Sequence, residues 1–456
     1  MFFRLKHLHF VGVGGIGMSG IAEVLLNQGF RISGSDQQDS DVIAHLRDLG
    51  AEITIGHRAE SVGSAQVVVY SSAVKSDNVE LQRARERHLP TIPRAEMLGE
   101  LMRMKYGIAI AGTHGKTTTT SMIGAVMTEA ELDPTIIVGG RVKSLATNAI
   151  LGSGEFLVAE ADEFDRSFLR LTPAIAVITT LETEHLDCYK DFDEIRSAFL
   201  QFAEHVPFYG SIVACSDEPG VAGLIPNMSR TVITYGLNEK ADVRALDPTF
   251  AETQTCFRVA VRGRERGELE LNLPGLHNVK NALAAVGVAE ELGIAFSTVQ
   301  RGLKKFRGVE RRFEIKGEAR GIMVVDDYAH HPTEIKATLA AAKRGWNRRV
   351  VAVFQPHLYT RTRDFAADFG ASFKDADLLI VTEIYGAREQ PIAGVTGEMI
   401  VKSAIQAGHQ NVLYVPDKSE IPQELNRLCR AGDIVITLGA GDIWKIAREF
   451  FSRLEK

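Results

Sequence analysis

Residues 107–120 read GIAIAGTHGKTTTT, and this stretch decides the fold. A short apolar run leads into a glycine turn, and the threonines after Lys116 open a long helical stretch. Strand, glycine turn, lysine, hydroxyl and helix occur in the order of a loop whose backbone N–H groups cradle phosphate. In such a loop Lys116 neutralises phosphate charge, and the Thr117 hydroxyl can bind magnesium. The stretch therefore predicts an ATP-binding domain.

The loop departs in one place from the usual GxxxxGK[ST] pattern, because Ile110 holds the leading position and a glycine stands instead at Gly112. A polar helix cap is the alternative interpretation, but it does not explain why all five features occur in the right order. The predicted ATP-binding residues of this segment are Gly112, Thr113, His114, Gly115, Lys116, Thr117 and Thr118.

Similar β-branched runs, each followed by a turn and a helical stretch, recur on both sides of this loop. They are LHFVGV, VVVYSSA, FLVAEA, AIAVITT, IMVVDD, VVAVFQ, LLIVTE and IVITLGA. This alternation predicts an α/β protein built of mainly parallel sheets wrapped by helices. Ligands of such sheets bind at the carboxyl ends of the strands, so candidate site residues follow the runs.

The chain has 456 residues, which suggests roughly three domains. One seam lies near Tyr106, where the polar segment LMRMKYG precedes a strand, and another lies near Arg311, in the charged segment FRGVERRFE. We therefore predict domains at residues 1–105, 106–310 and 311–456.

A second glycine motif, GVGGIG at residues 12–17, follows the first apolar run and opens a helix. Its glycines allow a diphosphate to approach the positive helix end. Asp36 follows Gly17 by nineteen residues, the place of a ribose-binding acid in dinucleotide folds. Taken alone, the motif indicates NAD binding or a tight strand-to-helix connection without a ligand.

Acidic residues follow the run FLVAE, and His185 follows the next run. Hard oxygen ligands from neighbouring strand ends would hold a magnesium ion beside the phosphate loop. The candidates are Glu160, Asp162, Glu163, Asp165 and His185. A solvated loop or a helix cap is the alternative, and the nearby phosphate loop favours the metal site.

Charge and cysteine content exclude other classes. The net charge of -6 and pI near 6.1 argue against a nucleic-acid surface. The cysteines are scattered and are expected to be reduced thiols; they are Cys188, Cys215, Cys256 and Cys429. No signal-like start or run of about 20 apolar residues is seen, so we expect a cytoplasmic protein that does not enter the membrane.

Seven motifs resemble, in the same order, those of the Mur ligase family. They are GVGGIGMSGIA, AGTHGKTTTT, VAEADE, GLHNVKNALAA, RRFE, DDYAHHPTE and FQPHLYTRTR. The resemblance covers essentially the whole chain, and the first and sixth motifs are most like the alanine-adding member. It implies a Rossmann-like N-terminal domain for the UDP moiety, a P-loop-type central ATPase and a Rossmann-like C-terminal domain. It also removes the NAD interpretation.

The implied reaction joins L-alanine to the lactyl carboxylate of UDP-N-acetylmuramate, with ATP and Mg²⁺, through an acyl phosphate. This reaction belongs to peptidoglycan precursor synthesis. The implied partners are UDP-N-acetylmuramate, L-alanine and ATP, without nucleic acid, and the implied assembly is a monomer or weak homodimer.

The resemblance also assigns roles to residues. The UDP-substrate residues are Gly12, Gly14, Gly15, Gly17, Asp36 and Ser71. The catalytic residues are Lys116, Glu160, His185, Arg312 and Asp327, and the magnesium ligands are Thr117, Glu160 and His185. Further nucleotide contacts are Asn278, Arg312 and Asp327, with His277 and Asn281 shaping the adenine pocket. The alanine-binding residues are Tyr328, His330, His357 and Arg361.

Two residues depart from the family pattern, because Leu181 replaces an asparagine and Leu358 replaces an arginine. The resemblance implies that the second change alters how the alanine carboxylate is bound. Related ligases that recycle a murein tripeptide or extend folylpolyglutamate are the nearest alternatives, but neither typically opens with GVGGIGMSG. A nucleotide-regulated binding protein without turnover is an alternative of a different class.

Overall fold

The computed structural model describes residues 5–139, 149–184, 188–387 and 389–456. Within these ranges the strands form three sheets, of five, ten and six strands, called here the first, central and C-terminal sheets. The strands are β1 His7–Val11, β2 Arg31–Asp36, β3 Glu52–Ile55, β4 Val67–Tyr70, β5 Thr91–Pro93, β6 Tyr106–Ala111, β7 Thr135–Ile137, β8 Ala149–Ile150, β9 Phe156–Glu160, β10 Ile175–Ile178, β11 Ser211–Cys215, β12 Thr231–Gly236, β13 Val243–Ala251, β14 Gln254–Val261, β15 Arg264–Leu271, β16 Glu314–Ala319, β17 Ile322–Asp327, β18 Arg349–Phe354, β19 Leu378–Val381, β20 Val412–Tyr414 and β21 Asp433–Leu438. The helices are α1 Ile16–Asn27, α2 Asp41–Asp48, α3 Val79–Glu86, α4 Arg94–Met102, α5 Lys116–Glu129, α6 Phe192–Glu204, α7 Pro219–Ala222, α8 Leu276–Glu291, α9 Phe296–Lys305, α10 Pro332–Gly345, α11 Tyr359–Asp364, α12 Ala366–Gly370, α13 Glu398–Gln406, α14 Ile421–Leu428 and α15 Trp444–Leu454.

The first sheet has the strand order β3-β2-β1-β4-β5, and its neighbouring strands pair in parallel. Because parallel strands end at the same edge, the residues after β1, β2, β4 and β5 gather there. This edge carries Gly12, Asp36, Ser71 and Arg94.

The central sheet has the order β15-β14-β13-β12-β11-β10-β6-β9-β7-β8. Strand β6 lies between β9 and β10 and is parallel to both. Its residues from Ile108 to Ala111 are fully buried, as expected of a central strand covered on both faces. The phosphate loop at the end of β6 is therefore flanked by the ends of β9 and β10.

The C-terminal sheet has the order β16-β17-β21-β18-β19-β20. Strand β17 pairs in parallel with β21, and β21 pairs in parallel with β18. All six residues of β17 are buried, including its last two, Asp326 and Asp327. Only β16 is antiparallel to its neighbour among the described pairs of this sheet.

Each apolar run picked out in the sequence is a strand of the structure, so that prediction is confirmed. By its contacts the chain divides into two compact units. One comprises residues 1–246, 258–269 and 280–306, and the other comprises residues 247–257, 270–279 and 307–456. The two predicted boundaries, between residues 105 and 106 and between residues 310 and 311, stay a prediction. Among the described residues, no helix has the length and apolar character needed to cross a bilayer.

Candidate active site

The first glycine loop connects β1 to α1. Its start is held by β2, because the Ser35 carbonyl accepts hydrogen bonds from the N–H groups of Gly12 and Val13 at 2.8 and 3.1 Å. Gly12 has a φ of +79°, and an added Cβ would lie 3.2 Å from Cβ of Ser71. The Asp36 carboxylate accepts from the Gly14 N–H at 2.8 Å. The structure therefore brings Asp36 and Ser71 to the loop, although Asp36 binds the loop backbone itself.

Arg94 belongs to the same edge and was not predicted. It begins α4 directly after the three-residue strand β5. A Cβ added at Gly17 would lie 2.3 Å from Nη1 of Arg94, so the guanidinium packs closely on the glycine. Its position after a strand could have indicated Arg94, but the strand Thr91–Pro93 (TIP) is too short to be recognised in the sequence, and it ends in proline.

The phosphate loop between β6 and α5 depends on two of its glycines. Gly112 has a φ of +138° and Gly115 a φ of +83°. An added Cβ at Gly112 would lie 2.1 Å from Oγ1 of Thr179, which excludes any side chain there. Close packing against Thr179 therefore explains why a glycine stands at position 112.

Two threonines after β10 hold this loop and were also missed. The Thr180 hydroxyl accepts from the His114 N–H at 2.7 Å, and Thr179 donates to the His114 carbonyl at 2.5 Å. Thr113 and Thr180 join their hydroxyls at 2.9 Å. A pair of hydroxyls at the end of a neighbouring strand is the signal that would have found them.

Lys116 points into the loop and does not extend into solvent. Its ammonium donates to the Gly112 carbonyl at 2.6 Å and lies 2.7 and 2.8 Å from the two carboxylate oxygens of Glu163. Burial opposes its charge, but Glu163 and Asp162 outweigh burial and raise the pKa of Lys116. Lys116 is therefore a cation placed where phosphate is expected.

The predicted magnesium ligands are partly described. Glu160 ends β9, and its carboxylate accepts from the Gly139 N–H at 2.6 Å. Thr117 lies in the first turn of α5. Hydroxyl and carboxylate oxygens are hard ligands, so this donor set fits Mg²⁺. His185 lies outside the described residues.

The other acids of this turn have different partners. Asp162 forms an ion pair with Arg94 at 3.2 Å, and Glu163 binds Lys116. Asp165 has a φ of +50°, and burial raises its pKa. Among these acids, Glu160 is the one at the strand end.

Asn281, Asn278 and Leu181 lie in different surroundings. The Asn281 carbonyl oxygen accepts from the Thr119 hydroxyl at 3.2 Å and lies under Gly115. The Asn278 amide donates to the Pro274 carbonyl at 2.8 Å and is buried. Leu181 is only 3% exposed and belongs to the apolar core, so this departure from the family pattern removes a polar group.

The four predicted alanine-binding residues form one cluster in the second unit. The rings of Tyr328 and His330 meet edge to face at 5.2 Å, and those of His330 and His357 meet at 5.8 Å. Tyr385, which was not predicted, stacks on His357 at 5.9 Å. Arg361 donates to Nδ1 of His357 at 3.3 Å.

Arg312 and Asp327 adjoin this cluster. The Arg312 guanidinium lies 5.3 Å from the centre of the Tyr328 ring and pairs with Glu334 at 3.3 Å. Glu334 also lies 3.2 Å from Nδ1 of His330, so it holds both residues in position, although it was not predicted from the sequence. Asp327 accepts from the N–H groups of Phe313 and Ala329, and burial raises its pKa to about 6 against the opposing effect of Arg312.

His357 is neutral at physiological pH, because burial, with help from His330 and Arg361, lowers its pKa to about 3. Arginine can only donate, so Nδ1 of His357 must accept, and the neutral ring carries its proton on Nε2. The cluster thus offers an Nε2–H and a guanidinium, which are two donors suited to a carboxylate.

Family models match three successive parts of the chain. The Mur ligase family catalytic domain matches residues 7–106, the Mur ligase middle domain residues 110–289, and the Mur ligase glutamate ligase domain residues 311–441.

Full-length relatives and a solved structure agree with these matches. The UDP-N-acetylmuramate–L-alanine ligase of Salinibacter ruber is 55% identical over 454 residues, covering 99% of this chain and 96% of the relative. That of Geotalea uraniireducens is 53% identical over 455 residues, covering 100% and 99%. The crystal structure of UDP-N-acetylmuramate-alanine ligase from Thermotoga maritima gives a TM-score of 0.84 at 31% identity, covering 99% of both chains. The motif resemblance and the three-domain α/β fold are confirmed, and the chain belongs to the Mur ligase family.

Proposed function

We propose that the chain joins L-alanine to the lactyl carboxylate of UDP-N-acetylmuramate, using ATP and forming UDP-N-acetylmuramoyl-L-alanine, ADP and phosphate. The observation that carries the proposal is Lys116, which is held in a phosphate loop of a chain matched over its whole length by alanine-adding relatives. The reaction belongs to peptidoglycan precursor synthesis, and we place it in the cytoplasm.

The chemistry begins with activation, because a carboxylate is a poor electrophile. The carboxylate oxygen attacks the γ-phosphorus of ATP, ADP leaves, and an acyl phosphate forms. Lys116 stabilises the charge that develops on the transferring phosphoryl group. Thr117, Glu160 and His185 are the residues that would hold Mg²⁺, which supplies further neutralisation of phosphate charge.

The second step forms the amide bond. The neutral amine of alanine attacks the acyl carbon, and phosphate leaves. We assign the alanine carboxylate to Arg361 and the Nε2–H of His357, with Tyr328 and His330 completing the cluster. With a pKa of about 3, His357 is too weak a base to deprotonate the alanine ammonium, so its role is to donate a hydrogen bond.

The remaining assignments follow the family pattern. The UDP moiety is assigned to the first glycine loop with Asp36 and Ser71, and the nucleotide to Asn278, Arg312 and Asp327 in addition to the phosphate loop. We propose domains at residues 1–105, 106–310 and 311–456, and a monomer or weak homodimer.

A phosphate-release assay tests the reaction. Release should require both UDP-N-acetylmuramate and L-alanine, and alanine should exceed other amino acids across a panel. Release without alanine, or with a murein tripeptide in its place, would overturn the assignment of substrate. In a parallel thermal-shift measurement, UDP-N-acetylmuramate should stabilise the protein and NAD should not.

A further inference from the structure

Glu163 is bound to the lysine that the nucleotide needs. Its two carboxylate oxygens lie 2.8 and 2.7 Å from Nζ of Lys116, and its side chain is only 1% exposed. The buried Tyr189 hydroxyl donates to the Glu163 carbonyl at 2.6 Å, which holds the backbone of this turn in place. Glu163 is therefore a buried side chain that contacts Lys116 of the phosphate loop directly and whose backbone is held by Tyr189.

The geometry allows Lys116 to meet phosphate without leaving Glu163. A lysine ammonium has three N–H donors. One donates to the Gly112 carbonyl at 2.6 Å, and the other two face the Glu163 carboxylate oxygens at 2.8 and 2.7 Å. One donor is enough to keep the ion pair with Glu163, so the other can turn to a phosphate oxygen.

Breaking this buried ion pair is also unfavourable. If Lys116 moved fully to a phosphate group, the buried Glu163 carboxylate would lose its ion pair with Lys116, which is strongly unfavourable. Lys116 thus keeps Glu163 as a partner, and the positive charge that it offers a nucleotide is already balanced by an anion. Asp162, next in the chain, adds a second negative charge that acts on Lys116.

We propose that Glu163 makes nucleotide binding in this loop depend on a divalent cation. Because the carboxylate neutralises the positive charge of Lys116, metal-free ATP or ADP binds weakly. A nucleotide therefore binds well only when it carries a divalent cation. Glu163 is a positioning residue that acts through Lys116. The inference rests on the proposed function, because it takes the loop to be a nucleotide site.

Calorimetric titration of the full chain with ADP tests this, since ADP binds without turnover. Dissociation constants are measured in EDTA and in excess Mg²⁺ for the wild type, for Glu163→Gln and for Glu194→Gln. Glu194 is a matched control, because it is a partly exposed glutamate in the same unit that pairs with Arg166. Glu163→Gln should lower the dissociation constant of ADP in EDTA about tenfold, or about 1.4 kcal/mol. The dissociation constant in excess Mg²⁺ should change much less. Glu194→Gln should leave both constants unchanged.

The ratio of the two constants separates this role from a structural one. A purely structural Glu163 would weaken binding in both conditions alike, and a folded Glu163→Gln protein with unchanged or weaker metal-free binding overturns the proposal. If Glu163→Gln fails to fold, Glu163→Asp replaces it, because aspartate keeps the charge but places it farther from Lys116. The ratio of the dissociation constants in EDTA and in Mg²⁺ should then shift in the same direction by a smaller amount. An unchanged ratio again overturns the proposal. A wild type that binds no ADP in either condition would instead contradict the proposed function.

Discussion

The guanidinium of Arg94 donates to the carboxylate of Asp162 at 3.2 Å. Arg94 follows the first sheet, whereas Asp162 lies in the turn after β9 of the central sheet. The same guanidinium packs against Gly17 of the first glycine loop. Asp162 precedes Glu163, the partner of Lys116. One ion pair therefore connects the first glycine loop with the turn that holds the lysine of the phosphate loop.

Arg94→Ala should weaken binding of the UDP substrate. A diphosphate at the start of α1 would lie beside this guanidinium, and a charge-assisted hydrogen bond is worth about 1.5 to 3 kcal/mol. Because Arg94 is 28% exposed, we expect the lower end of this range, or about a tenfold rise in the KM for UDP-N-acetylmuramate. Steady-state kinetics measures this, and the alanine KM should stay near its wild-type value.

Arg83→Ala is the matched control for Arg94. Arg83 is an exposed arginine of α3 in the same unit, paired with Glu86. It should leave all three KM values unchanged. Equal effects of the two substitutions would mean that Arg94 contributes only general surface charge.

Lys116→Ala should abolish acyl-phosphate formation while the affinity for the UDP substrate changes little, because the first glycine loop lies on a different sheet. Removing the cation also breaks the buried ion pair between Lys116 and Glu163, which costs about 3 to 5 kcal/mol of stability. Rapid-quench detection of phosphate measures acyl-phosphate formation, and titration with the UDP substrate measures its affinity. Lys305→Ala, at a lysine that is 70% exposed, is the control. Near-normal turnover in Lys116→Ala would falsify the assignment of the phosphate loop.

Stability should fall on acidification because of His357. Its pKa is about 3 in the folded chain, below its ordinary value of 6.5, so between these values the unfolded chain binds the extra proton. Stability therefore rises with pH in this window. Protonation of His357 in the unfolded chain makes the free energy of unfolding about 2 kcal/mol lower at pH 5 than at pH 7. His357→Gln should lessen the drop in melting temperature between pH 7 and pH 5. His409→Gln, outside the cluster, should not, and an equal drop in wild type and His357→Gln would contradict the prediction.

The sequence predicted those parts of the site that depend on local order. The phosphate loop and the first glycine loop each combine a β-branched strand, glycines and a helix within a short segment, so their conformation could be read directly. Gly112 shows the limit even there, because part of its need for glycine comes from the close approach of Thr179, which is distant in the chain.

What the sequence did not predict depends on tertiary packing. Glu163 was considered only as a metal ligand, since no local pattern shows that its carboxylate turns to Lys116. Tyr385 lies in an irregular segment and reaches His357 through an isolated bridge between the two residues. Such partners are set by which loops the sheets bring together.

Arg361→Ala should raise the alanine KM about 10- to 150-fold, since a charge-assisted hydrogen bond of about 1.5 to 3 kcal/mol is lost. Leu358 stands where the family usually has arginine, which concentrates carboxylate recognition on Arg361. The ATP KM should barely move. Loss of Arg361 also removes the donor to Nδ1 of His357, so the ring is free to change tautomer and the effect should fall in the upper part of the range.

Two variants sharpen this prediction. Arg363→Ala is the control, because Arg363 lies on the same helix, is 51% exposed and pairs with Asp364; its alanine KM should match the wild type. Leu358→Arg in the Arg361→Ala background restores the family's cation and should recover part of the lost alanine affinity. Leu358 has a φ of +70°, so an arginine there would keep a strained backbone, and full recovery is not expected. An unchanged alanine KM in Arg361→Ala would move carboxylate recognition to His330, His357 or Arg312.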